Sequence, residues 1–287
     1  MSGLDAGGDS PREEMLDTWE RVASGWARQA ERMREATMPV AEAMLAGAKL
    51  TPGARVVELA AGPGDLSLLA APLVAPAKVL CTDAVEAMVE VARERAGEEG
   101  IENIEFAQLQ LEWIDLPTAS VDVVLCRYGV MLCVDPEAAL RECRRVLVPG
   151  GRLSIAVQDS GAENPWVTLA PGAAVDLGLL EPSASGGPGP FALAAPGALE
   201  GLLAAAGLFD LELTRVDFTW RFADELDWLG EKLDHSSSFG EMWRSLRDAD
   251  RAALRAELRR RAGAAGYIAP DGTFAIPGRA IVAIASA

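Results

Sequence analysis

Glu58, Gly62, Gly64 and Asp65 share one short stretch, VVELAAGPGDLS, from Val56 to Ser67. A β-branched apolar run leads into a glycine-spaced turn and then into a leucine-rich helical pattern. A strand, a Gly-x-Gly turn and a helix make a cradle for a nucleotide-containing cofactor, because backbone without a Cβ lets a ligand come close. A dinucleotide fingerprint asks for a third glycine, and Ser67 stands in that place. A pyrophosphate also needs the free N–H groups and positive end of the helix, where Asp65 puts a carboxylate expected to cap it, with Glu58 close by.

An anionic turn suits a cofactor that has no phosphate and is cationic at its reactive end. S-adenosylmethionine, with its sulfonium and α-ammonium, has that character.

The surrounding elements must hold this turn in place. From Ala54 onward, short β-rich runs (ARVVEL, AKVLCTD, NIEFAQLQ, VDVVLC, GRLSIAV) alternate with helical ones. In DPEAALRECRRVLVPGG, Asp135 reads as N-cap, Pro136 as a first-turn residue and Gly150 as lying beyond the helix end. Such alternation implies right-handed βαβ crossovers and a mostly parallel sheet covered on both faces.

Ahead of the core, Ser10, Pro11 and Glu13 read as N-cap, first-turn proline and capping-box acid. Met15, Trp19, Val22, Trp26, Ala30 and Met33 then mark one helical face, and a second short helix is expected from Pro39 to near Gly47. That face either packs on the body or closes over a ligand. Residues 160 to about 197, rich in Gly, Pro, Ala and Ser and including EPSASGGPGP, read as a mobile loop. Two late strands, FDLELTRVDFTWRF and GRAIVAIASA, flank a helical block.

The expected fold is α/β: a Rossmann-like seven-stranded mostly parallel sheet, with N-terminal helices and a helical lid between the last two strands. Residues 1–50 read as a helical cap, 51–160 as the cofactor-binding core and 161–222 as the loop, helix and strand completing it. Residues 223–276 read as the lid and 277–287 as the final strand.

A net charge of −17 opposes binding to phosphate backbones, so no nucleic-acid partner is expected. The stretch MSGLDAGGDSPREEM lacks the basic and apolar regions of a signal peptide, and no apolar run reaches the roughly 20 residues of a membrane span. A cytoplasmic protein without membrane partners is the expectation, and a homodimer is left open. Cys81, Cys126, Cys133 and Cys143 form no CxxC pair and read as buried thiols, with no metal site expected.

With these segments in order, the chain resembles class I S-adenosylmethionine-dependent methyltransferases, in particular the small-molecule branch similar to ubiquinone/menaquinone-biosynthesis methyltransferases. The likeness covers about Val56 to Val157. It implies that Glu58, Ala60, Gly62 and Gly64 surround the methionine part of S-adenosylmethionine. Asp83, closing VLCTD, matches the acid that takes both ribose hydroxyls, though an Asp at that position also caps a helix beginning near Val85. Ala84 and Met88 would line the adenine. In LQLEWIDLP, Gln110 and Leu111 replace the family's Asp-Ala pair, with Glu112 the alternative to Gln110. VLCRYGVML matches the segment facing cofactor and substrate, which points to Cys126, Arg127, Tyr128 and Met131.

Methyl transfer is an in-line displacement that needs alignment and dryness more than a protein nucleophile. A hydroxyl acceptor gains from a base, and the chain's one histidine, His235, lies in the expected lid; Tyr128 and Asp159 are alternatives. The loop RYGVML is not the Asn/Asp-Pro-Pro-Tyr type that grips a flipped base. Trp19, Trp26, Tyr128, Met131 and Trp166 are the expected substrate contacts. The expected reaction is methylation of a small apolar or aromatic molecule, at oxygen in preference to carbon or nitrogen. A nicotinamide oxidoreductase and a noncatalytic S-adenosylmethionine-binding protein are the rival readings.

Overall fold

The computed structural model describes residues 11–182 and 186–287; Ser10, and with it the expected N-cap, lies outside them, as does part of EPSASGGPGP. A sheet of seven strands runs in the order β3-β2-β1-β4-β5-β7-β6. The strands are β1 Val56–Glu58, β2 Val79–Asp83, β3 Ile104–Gln108, β4 Val121–Arg127, β5 Leu147–Gln158, β6 Phe209–Phe222 and β7 Phe274–Ser286. β1 to β5 pair in parallel, while β7 runs antiparallel to both β5 and β6. Strand order reverses between β1 and β4, so their carboxyl ends open a crevice at the edge of the sheet.

α2 (Asp65–Val74) and α3 (Glu86–Glu98) cross over between β1, β2 and β3, and α4 (Pro136–Val146) leads into β5. As the sequence suggests, Asp135 caps α4, its carboxylate accepting from the Ala138 N–H at 2.9 Å. The helix stops at Val146 because Leu147 already pairs with Val121 in the sheet.

The N-terminal region differs from expectation. One helix, α1, runs unbroken from Pro11 to Ala48 with Pro39 inside it. A proline there forfeits one helical hydrogen bond, but Pro39 and Glu35, whose carbonyl is freed, both lie on the exposed side, where water serves instead. The end of α1 is satisfied from the sheet: Arg152 Nε donates to the Gly47 carbonyl at 2.8 Å and Ser154 Oγ to that of Met44 at 2.9 Å.

The segment expected to be a loop after β5 holds a further helix, α5 (Pro165–Asp176), before α6 (Ala198–Ala205). Its alanines favour helix once Pro165 occupies the first turn.

Between β6 and β7 stand three helices, α7 (Glu225–His235), α8 (Ser237–Ser245) and α9 (Asp248–Ala264), and β7 begins at Phe274, three residues earlier than the expected 277. Asp224 caps α7 and Ser236 caps α8. These helices pack on α1, α5 and β6. Among the described residues, no helix is long and apolar enough to cross a membrane.

Contact between α1 and α7 depends on Gly25, where a Cβ would fall 2.1 Å from the Asp234 carbonyl oxygen. Gly25→Ala should therefore destabilise the protein by about 1–3 kcal/mol, or more if the helices cannot separate. In α3, Gly97 has open space around it, so Gly97→Ala should stabilise by roughly 0.5–1 kcal/mol. Urea unfolding of the pair checks both signs.

Candidate active site

The glycine turn is held from beneath by charge. Glu58 Oε2 accepts from the Ser67 N–H at 2.7 Å and from Ser67 Oγ at 2.5 Å, so the strand residue caps the first turn of α2. Asp65, the residue expected to cap, instead points inward. Its carboxylate meets Arg95 Nη1 and Arg127 Nη2, each at 2.7 Å, and is fully buried. Arg127 also reaches Thr37 of α1 through Nη1 at 2.7 Å.

These contacts correct the expectation of an anionic turn facing the ligand. Neither Glu58 nor Asp65 lines the cleft, and Asp65 is compensated by two guanidinium groups. Burial pushes the Glu58 carboxyl up to about 7 against the opposing pull of its Ser67 bonds and of Arg127. A pyrophosphate is disfavoured for a different reason: a first-turn N–H that would bind it is already taken by Glu58.

Above the turn lies a cleft of about 1000 Å³, counting its open mouth. Its floor includes Ala60, Gly62 and Tyr128, all in left-handed backbone at φ of 50°, 54° and 63°. For Ala60 and Tyr128 that conformation is uncommon and costs energy, and both sit where the strand ends must turn away to leave room. Gly129 closes the floor, since a Cβ there would fall 2.6 Å from both Ala60 Cβ and Cys126 Sγ.

The roof is α1, not the helices between β6 and β7. Arg12, Met15, Leu16, Trp19, Trp26 and Met33 line the cleft, and no residue of 223–276 does. Arg12 fastens the roof, with Nε 2.7 Å from Glu112 Oε2, while Glu112 Oε1 accepts from the Asp135 N–H at 2.5 Å. Apolar periodicity in α1 could have identified the roof; Arg12 carried no signal, because its partner lies a hundred positions away.

Asp83 stands at the end of β2 with its oxygens facing different ways. Oδ2 accepts from the Gly62 N–H at 2.9 Å and Oδ1 from the Val85 N–H at 3.0 Å. Burial raises its pKa, against the pull of these two bonds. It both braces the turn and lines the cleft, so the capping and ligand roles are compatible.

Ala84, Met88, Gln110, Leu111, Glu112 and Arg127 also line the cleft. Glu112 is committed to Arg12 and Asp135, which leaves Gln110 as the amide facing the cavity. Val85, Leu132 and Cys133 line it too, without having been singled out.

Other expectations fail on geometry. Gly64 serves packing: its φ is 81° and a Cβ would fall 2.8 Å from Ala92 Cβ of α3. Cys126 lies wholly buried beneath Gly129, and burial pushes its thiol up to about 12. Met131 is buried below the cleft, its sulfur 3.5 Å from the Gln158 N–H.

Trp166 stacks on Trp220 at 4.7 Å, away from the cleft lining. Asp159 is occupied by the Ser160 N–H at 2.7 Å and Arg215 Nε at 3.2 Å. His235 is also outside the lining and sits behind Trp26, stacked on it at 4.2 Å. Trp19, Trp26 and Tyr128 do face the cavity, and burial raises the Tyr128 phenol, which keeps it a donor and not a base.

Residues 56–151 match the family model described as a methyltransferase domain. The chain carries a methyltransferase domain over these residues. The methyltransferase domain is similar to the ubiquinone/menaquinone biosynthesis C-methyltransferase UbiE of Hahella chejuensis, 39% identical over 41% of this chain and 48% of that one. The chain thus spans about half the length of that relative or less, as it does for the uncharacterized methyltransferase YcgJ of Bacillus subtilis, 37% identical over 39% of this chain and 43% of that one.

In fold, the crystal structure of YcgJ aligns with 86% of this chain and 97% of its own at a TM-score of 0.56 and 20% identity. The Haemonchus contortus phosphoethanolamine N-methyltransferase 2 aligns with 97% of this chain and 60% of its own at 0.59 and 16%. At those identities the likeness is one of architecture.

The raised Glu58 pKa makes a signed prediction. Between pH about 4.5 and about 7 the folded protein holds this proton more tightly than the unfolded chain does. The Glu58 contribution is present below that window and lost as pH rises through it, by on the order of 3 kcal/mol. Glu58→Gln keeps an acceptor for Ser67 without titrating. Urea unfolding at pH 5 and pH 8 should show the variant gaining stability relative to wild type by that order.

Proposed function

We propose that the protein binds S-adenosylmethionine in the cleft beneath α1 and transfers its methyl group to a small, largely apolar or aromatic molecule. Asp83 carries this reading. A carboxylate has about four acceptor sites; the Gly62 and Val85 N–H groups take one on each oxygen and the Ala84 N–H also acts on the group, which still leaves acceptor capacity for the hydroxyls of a ribose. Apolar walls from Ala84, Met88 and Leu111 suit a flat base beside it, with the Gln110 amide at its edge. The space over Gly62, where a Cβ would meet nothing within 4 Å, suits the amino-acid portion. These residues fit the cofactor, and a first turn already capped by Glu58 fits its lack of phosphate.

When bound, S-adenosylmethionine supplies an electrophilic methyl carbon on a sulfonium. The chain supplies alignment and exclusion of water. Trp19 and Trp26 cover the cleft from α1, Arg12 and Glu112 hold that cover down, and Tyr128 offers a hydroxyl at the floor. Oxygen is the proposed methyl acceptor. Methylation at carbon is the second reading, favoured by the similarity to the C-methyltransferase of Hahella chejuensis.

Asp83→Ala should weaken S-adenosylmethionine binding roughly 30-fold or more, because charge-assisted hydrogen bonds to two hydroxyls are lost. Calorimetry reads the affinity and circular dichroism the fold. Unchanged affinity in a folded variant would remove the ribose assignment.

A further inference from the structure

The loop after β3 brings a neutral amide to the cleft wall beside Asp83 and leaves that amide unheld. Its backbone is fixed. Gln108 pairs with Asp83 in the sheet, the Leu109 N–H donates to the Asp83 carbonyl at 2.9 Å, and Gln108 Nε2 donates to the Ala84 carbonyl at 2.8 Å. A turn then closes, with the Trp113 N–H donating to the Gln110 carbonyl at 3.2 Å. Gln110 is thereby held close to the end of β2, and it lines the cleft with Asp83, Ala84, Met88 and Leu111.

Its polar neighbours on the loop are committed, and Gln110 is not. The Gln108 amide is spent on Ala84, while Glu112 accepts from Arg12 Nε at 2.7 Å and from the Asp135 N–H at 2.5 Å. Among the described residues no hydrogen bond reaches the Gln110 side-chain amide, and the residue is only partly buried. An amide carries an acceptor on one arm and donors on the other, and turning it over exchanges the two arms. A clamped amide would offer one order of donor and acceptor. This one offers both.

Purines differ in that same order. Adenine presents a donor amine at C6 and an acceptor at N1, whereas hypoxanthine presents an acceptor carbonyl at C6 and a donor N1–H. In one orientation the amide accepts from the adenine amine and donates to N1. Turned over, it donates to the hypoxanthine carbonyl and accepts from N1–H. Strong rejection of an analogue comes from polar groups left without a partner, and with this amide neither base leaves one along that edge. Asp83 and the apolar walls add no discrimination, because the ribose and the flat faces are common to both nucleosides.

From this placement we infer that Gln110 sets the base specificity of the cleft and sets it loosely: the site takes a 6-oxopurine nucleoside, the inosyl counterpart of the cofactor, nearly as well as the adenine one. The inference rests on the proposed cofactor reading and names the range of nucleosides that the same site accepts.

Calorimetry on the full chain with S-adenosylhomocysteine, S-inosylhomocysteine and the analogue whose base is unsubstituted purine tests this. The first two should bind the wild type within about threefold of each other. Unsubstituted purine keeps the N1 acceptor but has nothing to pair at C6, so it should bind about threefold more weakly. Gln110→Leu, which keeps an apolar side chain on the wall, should weaken the first two about tenfold and the third about threefold. A loop merely disturbed by the substitution would weaken all three alike.

Rejection of the inosyl compound by about tenfold or more, or affinities that Gln110→Leu leaves unchanged or lowers equally for all three, overturns the inference. S-adenosylhomocysteine binding alongside that rejection leaves the cofactor reading standing. Absence of binding by all three removes the cofactor reading and this inference with it.

Discussion

One buried carboxylate, Asp65, joins the parts of the structure that make the cleft. Arg95 reaches it from α3 and Arg127 from the end of β4, and Arg127 continues to Thr37 of α1. Helix, strand end and roof are thus tied below the glycine turn. Removing one partner of such a group leaves an uncompensated buried charge, at a cost of about 3–5 kcal/mol. The same network turns Asp65 away from the cavity, and the bonds to Ser67 hold Glu58 away from it. The cleft floor is consequently mostly backbone and small side chains beside Tyr128, and the acids of the lining are Asp83 and Glu112, the latter held by Arg12.

This arrangement divides the labour between elements. Strand ends supply the floor and Asp83, where position is set by ladder hydrogen bonds on both sides of β1. The long helix α1 supplies the roof, and its length is possible because Pro39 faces water. α7 contributes behind the roof, where Gly25 lets its backbone come close enough for His235 to stack on Trp26. Trp26 therefore borders the cleft on one side and His235 of α7 on the other.

Much of this was legible in the residues. Alternating β-rich and helical runs predicted the parallel core, because period and strand-end glycines are local properties. Asp83, Ala84, Met88, Gln110 and Leu111 could be placed from the resemblance, and the structure brings them to one wall. What was not legible depended on direction and distant partners. Asp65 sits where a capping residue belongs, but two arginines some 30 and 62 positions away compete for it and win. Glu58 then takes the cap. Pro39 reads as a break only if the side it faces is unknown, and Trp166 and Met131 were misplaced because hydrophobicity does not say which cavity a side chain borders.

The central claim is that this turn is built for a nucleoside without a pyrophosphate, its first-turn N–H group being spent on Glu58. Isothermal titration of the full chain with S-adenosylhomocysteine and, separately, with a nicotinamide dinucleotide tests that claim most directly. The account predicts saturable one-to-one binding of the first and no measurable heat from the second. Tighter binding of the dinucleotide would contradict it.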